Sequence, residues 1–92
     1  MQIKWLKKAL RNLEQVYQHI SVDNPEAAIR TILKIQAAVE QLASFPHMGR
    51  LGRLEGTREL VIGNTPYIIV YRVKTTTVEI LRILHSSRKY PE

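Results

Sequence analysis

Two periodicities divide this chain. Apolar residues first return every three or four positions, at Leu6, Ala9, Leu10, Leu13, Val16, Tyr17 and Ile20, which is one stripe of an amphipathic helix. The spacing resumes in Ala28, Ile29, Ile32, Ile35 or Gln36, Val39, Leu42 and Ala43. Between the two stripes, Asp23-Asn24-Pro25-Glu26 reads as a turn into a helix start. Asn24 suits the cap, Pro25 the first helical position where its missing N–H costs nothing, and Glu26 the positive end of the helix dipole. The pattern therefore predicts helices from about Lys7 to Ser21 and from Pro25 to about Ser44, joined as an antiparallel hairpin. Phe45-Pro46 ends the second, because a residue before proline is pushed out of the helical region.

From Thr57 the pattern changes to extended segments separated by turn residues: Thr57 to Ile62, Tyr67 to Lys74 and Val78 to His85, with turns at Gly63-Asn64-Thr65-Pro66 and Thr75-Thr76. The intervening stretch, His47 to Gly56, reads as a loop with three glycines. Gln2 to Trp5 suits a short edge strand, although Trp5 and Leu6 equally suit the opening of the helix. Tyr67 to Tyr71, and Ile80-Leu81 with Ile83-Leu84, are apolar at both parities, so both strands are expected in the sheet interior, covered on each face. The helical hairpin supplies one cover. No element is left to cover the other face fully, so a partner or a second copy of the chain is expected over part of it. The resulting class is α+β, a single domain over residues 1–92 in which a short N-terminal strand and a helical hairpin pack on a mostly antiparallel sheet.

Charge sharpens the picture. Lys and Arg number 14 against 8 Asp and Glu, a net charge of +6. Residues 46–92 hold 8 basic and 4 acidic side chains, against 6 and 4 before them. Arg50, Arg53, Arg58, Arg82, Arg88 and Lys89, with Tyr90, edge the apolar strands and form the expected partner-binding set, which suits a polyanionic or acidic partner. Arg82 interrupts an apolar strand and must be paired or face a groove. Arg58 and Glu59 have opposite parity, so one of them faces the core or partner side, and the bland reading of that residue is a cross-strand ion pair.

Other chemistries lack their signals. There is no cysteine, hence no disulfide, thiolate nucleophile or Cys-based zinc site. His19, His47 and His85 have no metal-ligand spacing, and Gly49, Gly52 and Gly56 lead into a strand rather than a phosphate-binding helix. No metal or cofactor is expected. No run reaches the length that spans a bilayer and the N-terminus lacks a signal-peptide core, so the expected location is the cytoplasm, away from membranes. One catalytic option stays open. A metal-independent ribonuclease needs a base, cations for the phosphate and an acid, and His85, Arg82, Arg88, Lys89 and Tyr90 supply those types at one strand end.

The order of elements, together with Asn24-Pro25-Glu26-Ala27-Ala28, Phe45-Pro46 with Gly49-Arg50, Gly56-Thr57-Arg58-Glu59-Leu60, Pro66-Tyr67-Ile68-Ile69-Val70-Tyr71-Arg72 and Ile80-Leu81-Arg82-Ile83-Leu84-His85 with Arg88 and Pro91, resembles the RelE/ParE superfamily of toxins from bacterial type II toxin–antitoxin modules. The likeness covers nearly the whole chain. It implies a toxin neutralised by a cognate antitoxin, with a toxin–antitoxin heterotetramer as one expected assembly, and a role in plasmid stabilisation or growth arrest. RelE-like members cut mRNA on the ribosome without a metal, whereas ParE-like members bind and inhibit DNA gyrase. RelE-like members carry an arginine after the aromatic residue that starts the middle strand and two alternating lysines on the strand before; here those places hold Ile68 and Arg58-Glu59-Leu60-Val61. The resemblance is thus nearer the ParE branch, with gyrase as expected target. The alternative is a ribosome-dependent nuclease using Arg58, His85 and Arg88 as catalytic residues.

Overall fold

The computed structural model describes residues 1–91; Glu92, the last residue of the expected domain, lies outside the described residues. Strand β1 (Gln2–Trp5) leads into α1 (Lys7–Ser21) and α2 (Pro25–Gln41), followed by β2 (Arg50–Leu51), β3 (Arg58–Val61), β4 (Tyr67–Val73) and β5 (Thr77–His85). The strands form one sheet in the order β1-β5-β4-β3-β2, antiparallel except where β1 runs parallel to β5. The α+β architecture expected from the sequence is the one found.

Local chemistry explains the helix ends. Asn24 caps α2 by accepting the Ala27 N–H at 3.0 Å, with Pro25 in the first turn. At the other end α2 stops at Gln41, three residues short of the expected boundary. Leu42, Ala43 and Ser44 each donate to the carbonyl three residues back, and Phe45 to that of Gln41. The last turn tightens in this way as the chain prepares for Pro46.

One face of the sheet carries the core. Ile69 and Tyr71 of β4 and Val78, Ile80 and Ile83 of β5 pack with Ala9, Val16, Ile35, Val39 and Leu42 from the hairpin. The expected stripes were wider than the buried ones, because Leu10, Tyr17 and Ile29 stay substantially exposed beside the core line. Each follows a buried residue by one position, about 100° further around its helix.

The pairing of β4 with β5 corrects the reading of their apolar runs. Tyr71 pairs with Ile80 but Val70 with Arg82, so Leu81 is an extra residue in β5. This irregularity returns Ile83 to the helix side beside Ile80, and aligns Arg82 and Leu84 with Val70 and Ile68 on the opposite face. The single chain covers the centre of the opposite face, while Val61, aligned with Ile68, stays 53% exposed. Ile68, Val70 and Leu84 are buried within the single chain. The Tyr90 ring of the C-terminal segment lies against the guanidinium groups of Arg53 and Arg82 there. A second correction concerns the loop after α2: Arg50 and Leu51 leave it to pair with Glu59 and Arg58 as β2.

Candidate functional site

The register of the sheet places Arg50, Glu59, Val70 and Arg82 across neighbouring strands on the face away from the helices. Glu59 is its centre. The residue is 2% exposed, and its carboxylate receives Arg50 Nη2 at 3.2 Å, the Arg53 backbone N–H at 3.0 Å and Arg53 Nε at 3.1 Å. Burial pushes this carboxyl upward, but the Arg53 side chain and N–H and the Arg50 side chain outweigh it and hold the group below its ordinary value. Arg53 also donates through Nη1 to the Tyr90 carbonyl at 3.2 Å, and its guanidinium carbon lies 5.6 Å from the Tyr90 ring centre, with that of Arg82 at 6.0 Å. Glu59 thus gathers Arg50 and Arg53, and Tyr90 joins Arg53 to Arg82 on the same face.

Arg82 reaches the helices as well. β1 pairs with β5 only from Thr77 to Ile80, and the Leu6 N–H takes the Ile80 carbonyl. Beyond that point the β5 edge lacks a strand, and the Asn12 side chain of α1 takes its place. Asn12 Oδ1 accepts the Ile83 N–H at 3.1 Å and Arg82 Nε at 2.9 Å, while its amide donates to Gln15. The paired alternative for Arg82 is the one realised.

Arg58 belongs elsewhere. It pairs with Tyr71 in the sheet and donates through Nη1 to the carbonyl of Gly49 at 2.8 Å and of His47 at 3.4 Å, while Glu59 is the one of the two that makes the expected cross-strand ion pair, with Arg50. Tyr71 supports the same loop: its hydroxyl donates to the Pro46 carbonyl at 2.8 Å and accepts the Gly49 N–H at 2.9 Å. Burial raises the Tyr71 phenol, with the Gly49 N–H and Arg58 opposing. Tyr71→Phe is expected to cost about 1–3 kcal/mol, because it strips a partner from a buried donor and an acceptor. Urea titration checks this.

His85 and Arg88 line a different cleft of about 420 Å³ with His19, Tyr67, Ser87 and Asn12. His85 Nδ1 accepts the Ser87 N–H at 3.1 Å, and the His85 ring meets Tyr67 edge-on at 5.5 Å. Tyr71, the β4 partner of Arg58, lies four residues from Tyr67, the partner of His85. At ~3.4 Å per residue and ~4.8 Å per strand, that separates Arg58 from His85 by roughly 13 Å along the sheet and about 10 Å across it. The three candidate catalytic residues are not one constellation. Lys89 is exposed beside the cleft segment. Ile68, at the position where the resemblance calls for an arginine, is buried.

A family model described as ParE toxin of type II toxin-antitoxin system, parDE, matches residues 3–90. The chain belongs to the ParE toxin family. A Sinorhizobium fredii protein named "Putative toxin Y4kP" is 43% identical over 90 residues, covering 98% of this chain and 93% of that protein. Toxin RelE2 of Caulobacter vibrioides is 38% identical over 87 residues, covering 95% of this chain and 97% of its own length. Among solved structures, the chromosomal ParDE TA system from P. aeruginosa contains a chain that superposes with a TM-score of 0.85 at 32% identity, over 92% of this chain and 95% of that one. The protein is accordingly the toxin of a type II module, and its partner is an antitoxin. Among the described residues no helix is long and apolar enough to cross a membrane.

Sequence reasoning missed Asn12, Glu59 as an organising centre, and the Tyr71 hydroxyl. Asn12 carried a signal: a lone polar residue three positions after Ala9 and four before Val16, on the buried line of α1. The other two depend on partners that only the sheet register supplies.

Proposed function

We propose that this ParE toxin arrests growth in the cytoplasm by binding and inhibiting DNA gyrase, and that it is not a nuclease. The observation carrying this reading is the separation of Arg58, tied to loop carbonyls, from the His85–Arg88 cleft. Acid–base chemistry on a phosphodiester needs its base, acid and cations within hydrogen-bond reach of one reacting group. A surface edged by Arg50, Arg53, Arg88, Lys89 and Tyr90 instead suits recognition of an acidic protein surface.

The antitoxin has a seat on the outer side of the helical hairpin. Leu10 and Tyr17 of α1 and Ile29 and Leu33 of α2 are each 41–58% exposed. An amphipathic antitoxin segment with apolar residues at helical spacing suits these exposed apolar positions. The proposed assembly is a heterotetramer of two toxins and two antitoxins.

His85 and Arg88 in one cleft favour the alternative, a ribosome-dependent mRNA endonuclease. His85→Ala separates the two. Under the gyrase reading the variant still arrests growth when expressed without antitoxin; under the nuclease reading it is inactive while binding antitoxin normally.

A further inference from the structure

The loop between α2 and β2 spends buried polar groups on holding apolar side chains in water. Phe45 is 63%, Met48 42% and Leu51 79% exposed. Ser44, Phe45, Pro46, His47 and Met48 surround one shallow depression, and His47, Leu51 and Arg58 line a second that shares His47 with the first. Beneath this surface the backbone is fixed at consecutive points. The Tyr71 hydroxyl bridges Pro46 and Gly49, Arg58 holds the Gly49 carbonyl, and the Met48 N–H returns to the Phe45 carbonyl at 3.1 Å. Even a Cβ on Gly49 would stand 2.7 Å from that hydroxyl, so the fit beneath the loop is tight.

A free loop gains nothing from exposing Phe45 and Met48, since their burial elsewhere would stabilise the fold. A rigid loop that exposes them enters a complex with little ordering cost, and Phe and Met are among the residue types enriched at protein interfaces.

We propose that the Phe45–Leu51 tip is a docking surface for the toxin's target, a protein surface carrying acidic side chains beside an apolar pocket. This rests on the protein-target reading above and adds the place of contact. Charge selects the occupant. Among the described residues neither depression is lined by an Asp or Glu, whereas Arg58 lines the second. A second copy, itself at +6, would bring the same cations against one another. The hairpin positions assigned to the antitoxin are separate: Leu33 lies eight residues from the end of α2 at Gln41, roughly 12 Å along the axis.

The test uses the full chain carrying Phe45→Ser with Met48→Ser, and, separately, Leu51→Glu and Leu51→Lys. Melting temperature and affinity for the co-expressed antitoxin are measured first, then inhibition of purified gyrase holoenzyme and growth arrest. The expected result is at least a tenfold loss of gyrase inhibition for the double variant and for Leu51→Glu, near-normal inhibition for Leu51→Lys, and antitoxin affinity within threefold of the parent. Equal inhibition by parent and double variant overturns the proposal while leaving the gyrase reading intact. Loss of antitoxin binding with inhibition retained overturns it by giving the tip to the antitoxin, and a dimer in sedimentation that the double variant abolishes gives it to a second copy. Equal effects of Glu and Lys at position 51 overturn the acidic partner. If the parent leaves gyrase untouched, the gyrase reading fails and growth arrest decides the tip: arrest lost in the folded double variant upholds it, and arrest unchanged overturns it.

Discussion

Replacing Glu59 with alanine is expected to destabilise the toxin by about 3 kcal/mol, because it removes charge-assisted hydrogen bonds from Arg50 and from both the backbone and side chain of Arg53. The arginine side chains are partly exposed and can turn to water, which keeps the cost at the lower end of that for breaking a buried pair. Against a total of about 5–14 kcal/mol for a chain of this size, the loss is large, and it corresponds to roughly 12–24 °C in melting temperature. It also frees Arg53 from the arrangement that holds Tyr90, so the C-terminal segment loosens first. Glu59→Gln isolates the charge. The folded carboxyl lies below its ordinary value of 4.5, so the stability it contributes is fully present above that pH and is lost as pH falls through the folded value. Thermal melts of parent and Glu59→Gln therefore converge on acidification below about pH 4.5. Glu79, also lowered by Arg72, is common to both proteins and cancels in the difference.

Asn12→Ala is expected to cost about 2–4 kcal/mol. The substitution leaves the Ile83 N–H without its acceptor at a buried strand edge and takes one hydrogen bond from Arg82, itself 8% exposed. Asn12→Asp keeps an acceptor oxygen facing a cation and is expected to recover most of the loss. Denaturant titration gives the magnitudes. Amide exchange at Ile83 gives the location: it accelerates in the alanine variant well before global unfolding, and equal protection in both variants contradicts the assignment.

The fold was legible where local chemistry decides it. The apolar stripes, the Asn24 cap with Pro25, and the turns at Gly63–Pro66 and Thr75-Thr76 each act within a few residues, and they yielded the hairpin and the three antiparallel strands. What stayed hidden depends on contacts distant in sequence. The extra residue Leu81 changes the phase of β5, and an apolar run at both parities looks the same with or without it. Asn12 and Ile83 are 71 positions apart, and Arg53 and Tyr90 are 37. The cationic set was visible as residue types, but its division was not. Glu59 gathers Arg50 and Arg53, Arg58 turns to the Phe45 loop, and Arg88 lines the cleft with His85. Only the strand register, which alternates Arg58 with Glu59 between the two faces, separates these roles.

Inhibition of gyrase through the protein's surface, rather than cleavage of RNA, is the proposed activity. Toxin freed from its antitoxin and added to a gyrase supercoiling and DNA-cleavage assay, with the same preparation added to a cell-free translation mixture, tests it most directly. Loss of supercoiling or accumulation of cleaved DNA, with mRNA left intact, is the predicted result; codon-phased mRNA cuts with normal gyrase activity would contradict it.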